Sequence, residues 1–582
     1  MRNFFKLFFA SLLALVVFTL LSVFFLVAMV GGMASKDRPR VAAKSVIVLD
    51  LGQQYKEQVK QDPLAFLSGD DKNIPGLYDV IRLLHIAKTD KKVAGIYIIA
   101  NNNPNGFAAS EELRNALKDF KTSGKFILAH GDVITQKAYS VANIADKIYV
   151  SPHGYLDWAG YSVEFAFLKG TLQKLEIEPQ VFYAGKFKSA TEPLRTYEMT
   201  PENELQTAVW LNDLYNDLLL TTAEARKIDT ATLHLLANEA KIQNAKDAVD
   251  NKLVDALKYD DELKDEIKTN LGIGKYDKIN FITINTYLAA TNIHKASGEK
   301  IALIYAEGNI IDGKSDEGIA SETYRNLIRK ARLDKTIKAI VFRVNSGGGS
   351  SMASEAIWRE LTLAKKEKPV IVSFGDVAAS GGYYISCAAD SIFALPTTIT
   401  GSIGVFGIIP NMQAFFKNKL GVTFDGVKTA PYADAGGIYR PMNEKEKKLV
   451  QANVDMIYTQ FKQRVADGRK KDTAYVDSIA QGRVWTGMRA KEIGLIDRFG
   501  GIEDAIRSAA TMAKLTDYRI AEYPEPQNIF EQIFGKSDPL NYADKMKEEL
   551  GAENYKIYLE MKRVKEMNNT VQARLPFQFF IH

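Results

Sequence analysis

A chain of 582 residues, 46% apolar and 25% charged, is globular and long enough for several cores. Its formal net charge of +5 is mild and basic residues interleave with acidic ones, so no nucleic-acid partner is implied. A single cysteine, Cys387, excludes an internal disulfide and a Cys-rich zinc site, and the six histidines lack the i, i+4 pair of a helical metal site.

Arg2 and Lys6 precede a run from Leu7 to Ser35 that carries no charged residue. Its apolar centre, about residues 8–30, suffices to cross a bilayer of ~30 Å as a helix. That exceeds the ~7–15 apolar residues of a cleavable signal peptide. The expectation is an uncleaved anchor, with residues 1–44 forming anchor and juxtamembrane segment. Basic residues flank it on both sides, including Lys36, Arg38, Arg40 and Lys44, so charge does not set its orientation.

Beyond the anchor the chain repeats itself. Lys92-Val93-Ala94-Gly95-Ile96-Tyr97-Ile98-Ile99-Ala100-Asn101 aligns with Thr336-Ile337-Lys338-Ala339-Ile340-Val341-Phe342-Arg343-Val344-Asn345, an offset of 345 − 101 = 244. The same offset pairs Gly131-Asp132 with Gly375-Asp376, Tyr139 with Tyr383, Asp146 with Asp390 and Gly160 with Gly404. One unit is used twice, over residues 45–270 and 299–515, with 271–298 as the connection. In the second unit, strand patterns at 301–305, 339–344 and 370–374 alternate with helical patterns at 321–333 and 351–365. This alternation predicts α/β units with largely parallel strands. Residues 516–582, interrupted by Pro524 and Pro526 and then charged and helical in pattern, read as a C-terminal extension.

Chemistry concentrates in turns of the second unit. Gly375-Asp376-Val377-Ala378-Ala379-Ser380-Gly381-Gly382-Tyr383-Tyr384 ends a strand on a serine among small residues. It reads either as a tightly packed helix start or as a nucleophile whose neighbour Gly381 offers an N–H. Arg343-Val344-Asn345-Ser346-Gly347-Gly348-Gly349-Ser350 sits between strand and helix, where backbone N–H groups can hold an anion. It lacks the Gly-Lys-Ser/Thr ending of a nucleotide-binding loop. An oxyanion hole fits better, pairing the amide of Gly348 or Gly349 with that of Gly381. Thr400-Gly401-Ser402-Ile403-Gly404 adds another hydroxyl among small residues. No histidine follows the connection except His582, so a base for Ser380 points to lysine, held neutral below its ordinary pKa of ~10.4. Spacing alone does not choose among the lysines.

These motifs, with Gly421-Val422-Thr423-Phe424-Asp425-Gly426-Val427-Lys428-Thr429 and Gly482-Arg483-Val484-Trp485-Thr486-Gly487, resemble the signal peptide peptidase A family, peptidase family S49, in its long tandem form. The resemblance covers nearly the whole chain. It implies two tandem crotonase/Clp-protease-like α/β units, a membrane-anchored Ser–Lys endopeptidase without cofactor, and a homotetramer that degrades signal peptides. It also implies an inner-membrane location with the catalytic part outside the cytoplasm.

In that family the base lies in a Lys-Ser-Ala-x-Glu-Pro motif of the first unit. The match here is Lys188-Ser189-Ala190-Thr191-Glu192-Pro193, so the resemblance assigns Lys188 as general base and Ser380 as nucleophile. It assigns Ser402 to orient the lysine amine, and Gly348 and Gly381 to the oxyanion. Through the repeat, Ser380 falls on Gln136 and Lys188 on Tyr432 or Ala433, so each unit holds half a site. Lys186 is the nearest rival base. Gly347 stands where many relatives have proline, and Cys387 reads as a buried structural thiol. Two other readings remain: a crotonase-like acyl-CoA enzyme, and an inactive membrane scaffold.

Overall fold

The computed structural model describes residue 6 and residues 8–22, 39–59, 74–525 and 571–575. Seven strands arise in the first part of the chain: β1 (Ser45–Asp50), β2 (Val93–Ile99), β3 (Phe126–Ile134), β4 (Lys147–Leu156), β5 (Glu178–Ala184), β6 (Ala256–Leu257) and β7 (Phe281–Thr283). All but β5 form one parallel sheet in the order β6-β4-β3-β2-β1-β7. The helices Leu77–Thr89 and Phe107–Lys121 make the crossovers. Strands such as Val93–Ile99 read as nearly unbroken apolar runs because helices and the other unit cover both faces.

The second part contributes β8 (Glu299–Glu307), β9 (Ile310–Ile311), β10 (Ile319–Ala320), β11 (Ile337–Ser346), β12 (Gly348–Ser350), β13 (Val370–Ala379), β14 (Ser391–Ala394), β15 (Ile399–Gly401), β16 (Val405–Asn411), β17 (Val484–Thr486), β18 (Arg498–Phe499), β19 (Tyr518–Tyr523) and β20 (Val571–Arg574). Its main sheet runs β19-β8-β11-β13, then to β14 and β18 on one branch and β15 and β17 on the other. The series β19, β8, β11, β13, β14, β18 repeats β7, β1, β2, β3, β4, β6 of the first sheet. The duplication in the sequence is therefore also a duplication of topology.

Two segments differ from the sequence reading. The connection 271–298 holds β7, which pairs with β1, and a helix Ile284–Ala290. The start of the C-terminal extension holds β19, which pairs with β8 along its whole length. Each unit thus ends by adding a strand outside its own first strand. Their apolar signal is weak because both are edge strands, covered on fewer sides than the strands they flank. The expected anchor falls largely outside the described residues. Residues 8–22 are helical, and among the described residues no helix is long and apolar enough to cross a membrane.

The units share one interior. The largest apolar cluster joins Leu49, Leu113 and Ile127 of the first to Ile301, Leu303, Val341 and Ile371 of the second. A buried ionic latch crosses the same boundary. Arg343 on β11, 0% exposed, donates to Glu57 (2.8 Å) and Glu112 (2.5 Å) of the first unit. It also donates to the Ser373 hydroxyl (2.8 Å) and the Phe374 carbonyl (2.9 Å). Asp376 on β13 accepts from the Ala109 amide at the start of a first-unit helix (2.9 Å).

Removing the cation would strand two buried carboxylates. Arg343→Leu is therefore expected to destabilise the folded chain by about 3–5 kcal/mol. Denaturant unfolding of the purified variant reads this directly, and a change below about 1 kcal/mol would place the latch at the level of surface ion pairs.

Candidate active site

A third sheet joins the two units in the order β10-β9-β12-β20-β16-β5. Here β5 of the first unit pairs antiparallel with β16 of the second, from Glu178↔Asn411 to Ala184↔Val405. The ladder brings the chain leaving β5 beside the chain entering β16. Four residues past Ala184 comes Lys188; three residues before Val405 stands Ser402.

The lysine loop then docks on the turn before β17. The Phe187 amide donates to the Gln481 carbonyl (2.8 Å). Gly482, at φ +73, faces Lys188 so closely that a Cβ there would lie 2.7 Å from the lysine Cβ. Only glycine meets both the backbone and the space requirement. Lys188 is left 1% exposed. Its Nζ lies 2.8 Å from Ser380 Oγ, 3.0 Å from Ser402 Oγ and 3.1 Å from the Ser402 carbonyl.

That neighbourhood suits a neutral amine. Burial drives the Lys188 pKa well below the ordinary 10.5. A neutral amine has two N–H donors and one lone pair. The Ser402 carbonyl and hydroxyl can take the donors, which leaves the lone pair for the Ser380 O–H. The arrangement is that of a base poised to take the serine proton.

Ser380 caps the end of β13 with φ +56, and Ser402 has φ +50. Such left-handed backbone costs a non-glycine residue of order 1–3 kcal/mol and is found where surrounding structure imposes it. The imposing contacts are visible: the Ser380 amide donates to the Gly401 carbonyl (2.8 Å) and the Ser402 amide to the Arg483 carbonyl (2.7 Å). Gly381 opens the short helix Gly381–Ser386, so its amide has no carbonyl one turn back.

β20 lies in a strand-wide slot, antiparallel to β12 on one side and to β16 on the other. The Leu575 amide donates to the Gly347 carbonyl (2.5 Å). Hydrogen-bonded pairs alternate in such a ladder, so Gly349, opposite Ala573, turns its N–H toward the inserted strand and Gly348 turns away. The Gly348 amide instead donates to Ser346 Oγ (3.1 Å). This departs from the geometry expected for Gly348: the glycine-rich strand turns the Gly349 N–H to the slot, while Gly348 presents its bare Cα. A Cβ on Gly348 would lie 2.0 Å from the Ala573 carbonyl oxygen and 2.6 Å from the Gly381 nitrogen, so the three meet at one corner. The Leu575 side chain enters an apolar pocket with Trp210 and Leu214 of the first unit and Ala379, Ile399 and Val484 of the second.

The matching place in the first unit is closed. The Gln136 amide side chain donates to the Gly160 carbonyl and accepts from the Gly160 amide, both at 2.9 Å. Tyr432, which the repeat matches to Lys188, is in an exposed turn under Lys445. Lys186 is exposed, over the Phe187 ring at 5.2 Å, and does not join Ser380. Cys387 is buried and its thiol is pushed up to about 12, as expected of a structural cysteine. The sequence reading missed Gln206, whose side chain bonds both units beside Lys188. It also missed the pocket around Leu575. Gln206, Trp210 and Leu214 lie at i, i+4 and i+8 on the helix Pro201–Arg226, a stripe that was available in the sequence.

The profile of peptidase family S49 matches residues 119–274 and 362–516, once in each unit. Protease 4 of Salmonella typhi is 36% identical over 477 residues, covering 80% of this chain and 76% of that one. Protease 4 of Haemophilus influenzae is 35% identical over 465 residues (77% and 75%). The chloroplastic serine protease SPPA of Arabidopsis thaliana is 32% identical over 487 residues (82% and 70%). Among solved structures, a ClpP1 mutant from Listeria monocytogenes is similar over 35% of this chain and 94% of that chain, with a TM-score of 0.24 and 15% identity. Matched in both its units and aligned with such relatives over most of its length, the chain belongs to peptidase family S49 and is a serine peptidase.

Proposed function

We propose that this serine peptidase is a membrane-anchored endopeptidase that degrades cleaved signal peptides and other apolar peptides, with Ser380 as nucleophile and Lys188 as general base. The contact between Lys188 Nζ and Ser380 Oγ at 2.8 Å, inside a buried pocket, carries the reading. Lys188 takes the Ser380 proton as Oγ attacks the peptide carbonyl, and the amides of Gly381 and Gly349 hold the oxyanion. The leaving amine takes that proton from the lysine. Water, with its proton passed to the same lysine, then hydrolyses the acyl-enzyme, and Ser380 Oγ leaves by taking that proton back. Ser402 keeps the amine turned toward Ser380.

The substrate reading rests on the slot. Its two strand edges, β12 and β16, hold residues 571–574 as an extended strand, a recognition mode that accepts many sequences. The pocket around Leu575 is lined by apolar side chains, which suits apolar peptides. Anchoring in the inner membrane is supported by the uncharged run 7–35 and by the exposed apolar side chains of helix 8–22, such as Phe9, Leu13 and Phe18. The same reading places the catalytic part outside the cytoplasm. Crotonase/Clp-protease-like units agree with the strand order that the two sheets share. A homotetramer is supported by exposed Phe424 and Tyr439, which pack on half-buried Phe416, and by exposed Val427 in the same segment.

Incubation with a fluorophosphonate probe is expected to label the wild-type chain at Ser380. Ser380→Ala should not label, and Lys188→Ala should label and turn over a fluorogenic apolar peptide about 10²–10⁴-fold more slowly. Near-normal turnover by Lys188→Ala would remove the lysine from the mechanism.

The active form of Lys188 is neutral, so kcat/KM should rise with pH through the lysine pKa and level off above it. Because that pKa is lowered, the acid limb should lie well below 10.5. An acid limb near 10.5 in a pH series would contradict a buried lysine base. Deleting residues 1–35 should move the expressed protein from the membrane pellet to the supernatant; retention in the pellet would argue against the anchor.

A further inference from the structure

Lys188 and Ser380 come from different units, 192 positions apart in the chain, yet stand 2.8 Å from each other. Something must hold the two backbones in register at that point. The helix Pro201–Arg226 runs along the boundary, and Gln206 on it is 2% exposed.

Its side-chain amide reaches in both directions. Nε2 donates to the Phe187 carbonyl (3.1 Å) and to Ser189 Oγ (2.9 Å), the residues on either side of Lys188. It also lies 3.1 Å from Asn203 Oδ1 on its own helix. Oε1 accepts from the Val484 amide of the second unit (3.1 Å). Val484 pairs with Gly401 across β17 and β15, and the adjoining Arg483 carbonyl accepts from the Ser402 amide. The Gly401 carbonyl in turn receives the Ser380 amide. One amide group therefore touches the lysine loop on one side and, on the other, the turn that holds both serines.

Its surroundings hold Gln206 in turn. Asn203, one turn earlier on the same helix, donates to buried Glu192, and Glu192 also receives the Thr200 hydroxyl (2.6 Å). One turn later Trp210 packs in the apolar pocket with Val484.

We propose that Gln206 is a positioning residue of the peptidase reaction: it sets Lys188 against Ser380 by bonding the lysine loop of the first unit to β17, the strand of the second unit that pairs with β15 next to Ser402. The inference rests on Lys188 and Ser380 being the reacting pair. A purely structural Gln206 would affect how much protein folds. A positioning Gln206 affects how fast each folded molecule reacts, and how well water is kept from the lysine.

The test is single-turnover phosphonylation of the full chain by a fluorophosphonate, in which Ser380 Oγ displaces fluoride from phosphorus, followed across a pH series. The amplitude counts competent molecules and the rate constant reports on each of them. Gln206→Met keeps the volume and removes the hydrogen bonds. The expected result is a rate constant lower by about 10- to 100-fold, as for an ångström-scale misplacement of reacting groups, with the acid limb moved to higher pH as the lysine becomes better hydrated. An unchanged rate constant and acid limb, whatever the amplitude, would overturn the proposal. Should Gln206→Met not fold, Ser189→Ala removes one of the two anchors on the lysine loop. It should shift both readouts in the same direction, and no shift would overturn the proposal equally. If wild-type and Lys188→Ala chains are phosphonylated alike, the Ser380–Lys188 reading fails instead, so the two failures are distinguishable.

Discussion

The antiparallel pairing of β5 with β16 is the constraint on which the rest of the site depends. Neither unit holds a complete dyad. The ladder runs from Glu178↔Asn411 to Ala184↔Val405 and ends where each strand gives way to a reactive loop. Backbone hydrogen bonds fix its register, and a slip of one residue would turn every side chain of β5 to the opposite face. The lysine loop is then seated by contacts that tolerate no side chain at Gly482 and by the shared amide of Gln206.

Two buried basic side chains at the boundary between the units differ in what surrounds them. Arg343 is surrounded by Glu57 and Glu112, and these carboxylates keep its guanidinium charged despite burial. It joins the units. Lys188 has hydroxyls and a carbonyl for neighbours. Those groups satisfy hydrogen bonds but do not compensate a full charge, so burial lowers the Lys188 pKa well below its ordinary value. Similar burial gives a charged latch in one case and favours a neutral amine in the other, because only the first has counter-charges.

Strain around the serine is likewise imposed by its neighbours. Ser380 and Ser402 hold left-handed backbone because neighbouring strands receive their amides. Beside them β12 and β16 stand one strand apart, and residues 571–574 fill the interval as an extended strand. The slot therefore supplies backbone hydrogen bonds on two edges to residues 571–574, and the apolar pocket beside it takes Leu575.

The sequence by itself determined what is local or repeated. The helices expected at 321–333 and 351–365 occur with those bounds, since their start and stop signals are built into the segments; Ser350, for one, caps the second through the Ala353 amide. The repeat announced two α/β units, and the family motif singled out Lys188, Ser380 and Ser402. Tertiary structure alone decided what depends on partners distant in the chain. It assigned β7 and β19 to sheet edges, turned the Gly348 amide to Ser346 and left Gly349 facing the slot. It closed the first unit's own site with Gln136, and it placed Gln206 between the lysine and the serines. None of these follows from spacing, because each is a choice among hydrogen-bond partners that only the folded chain brings within reach, or turns on a single residue of register.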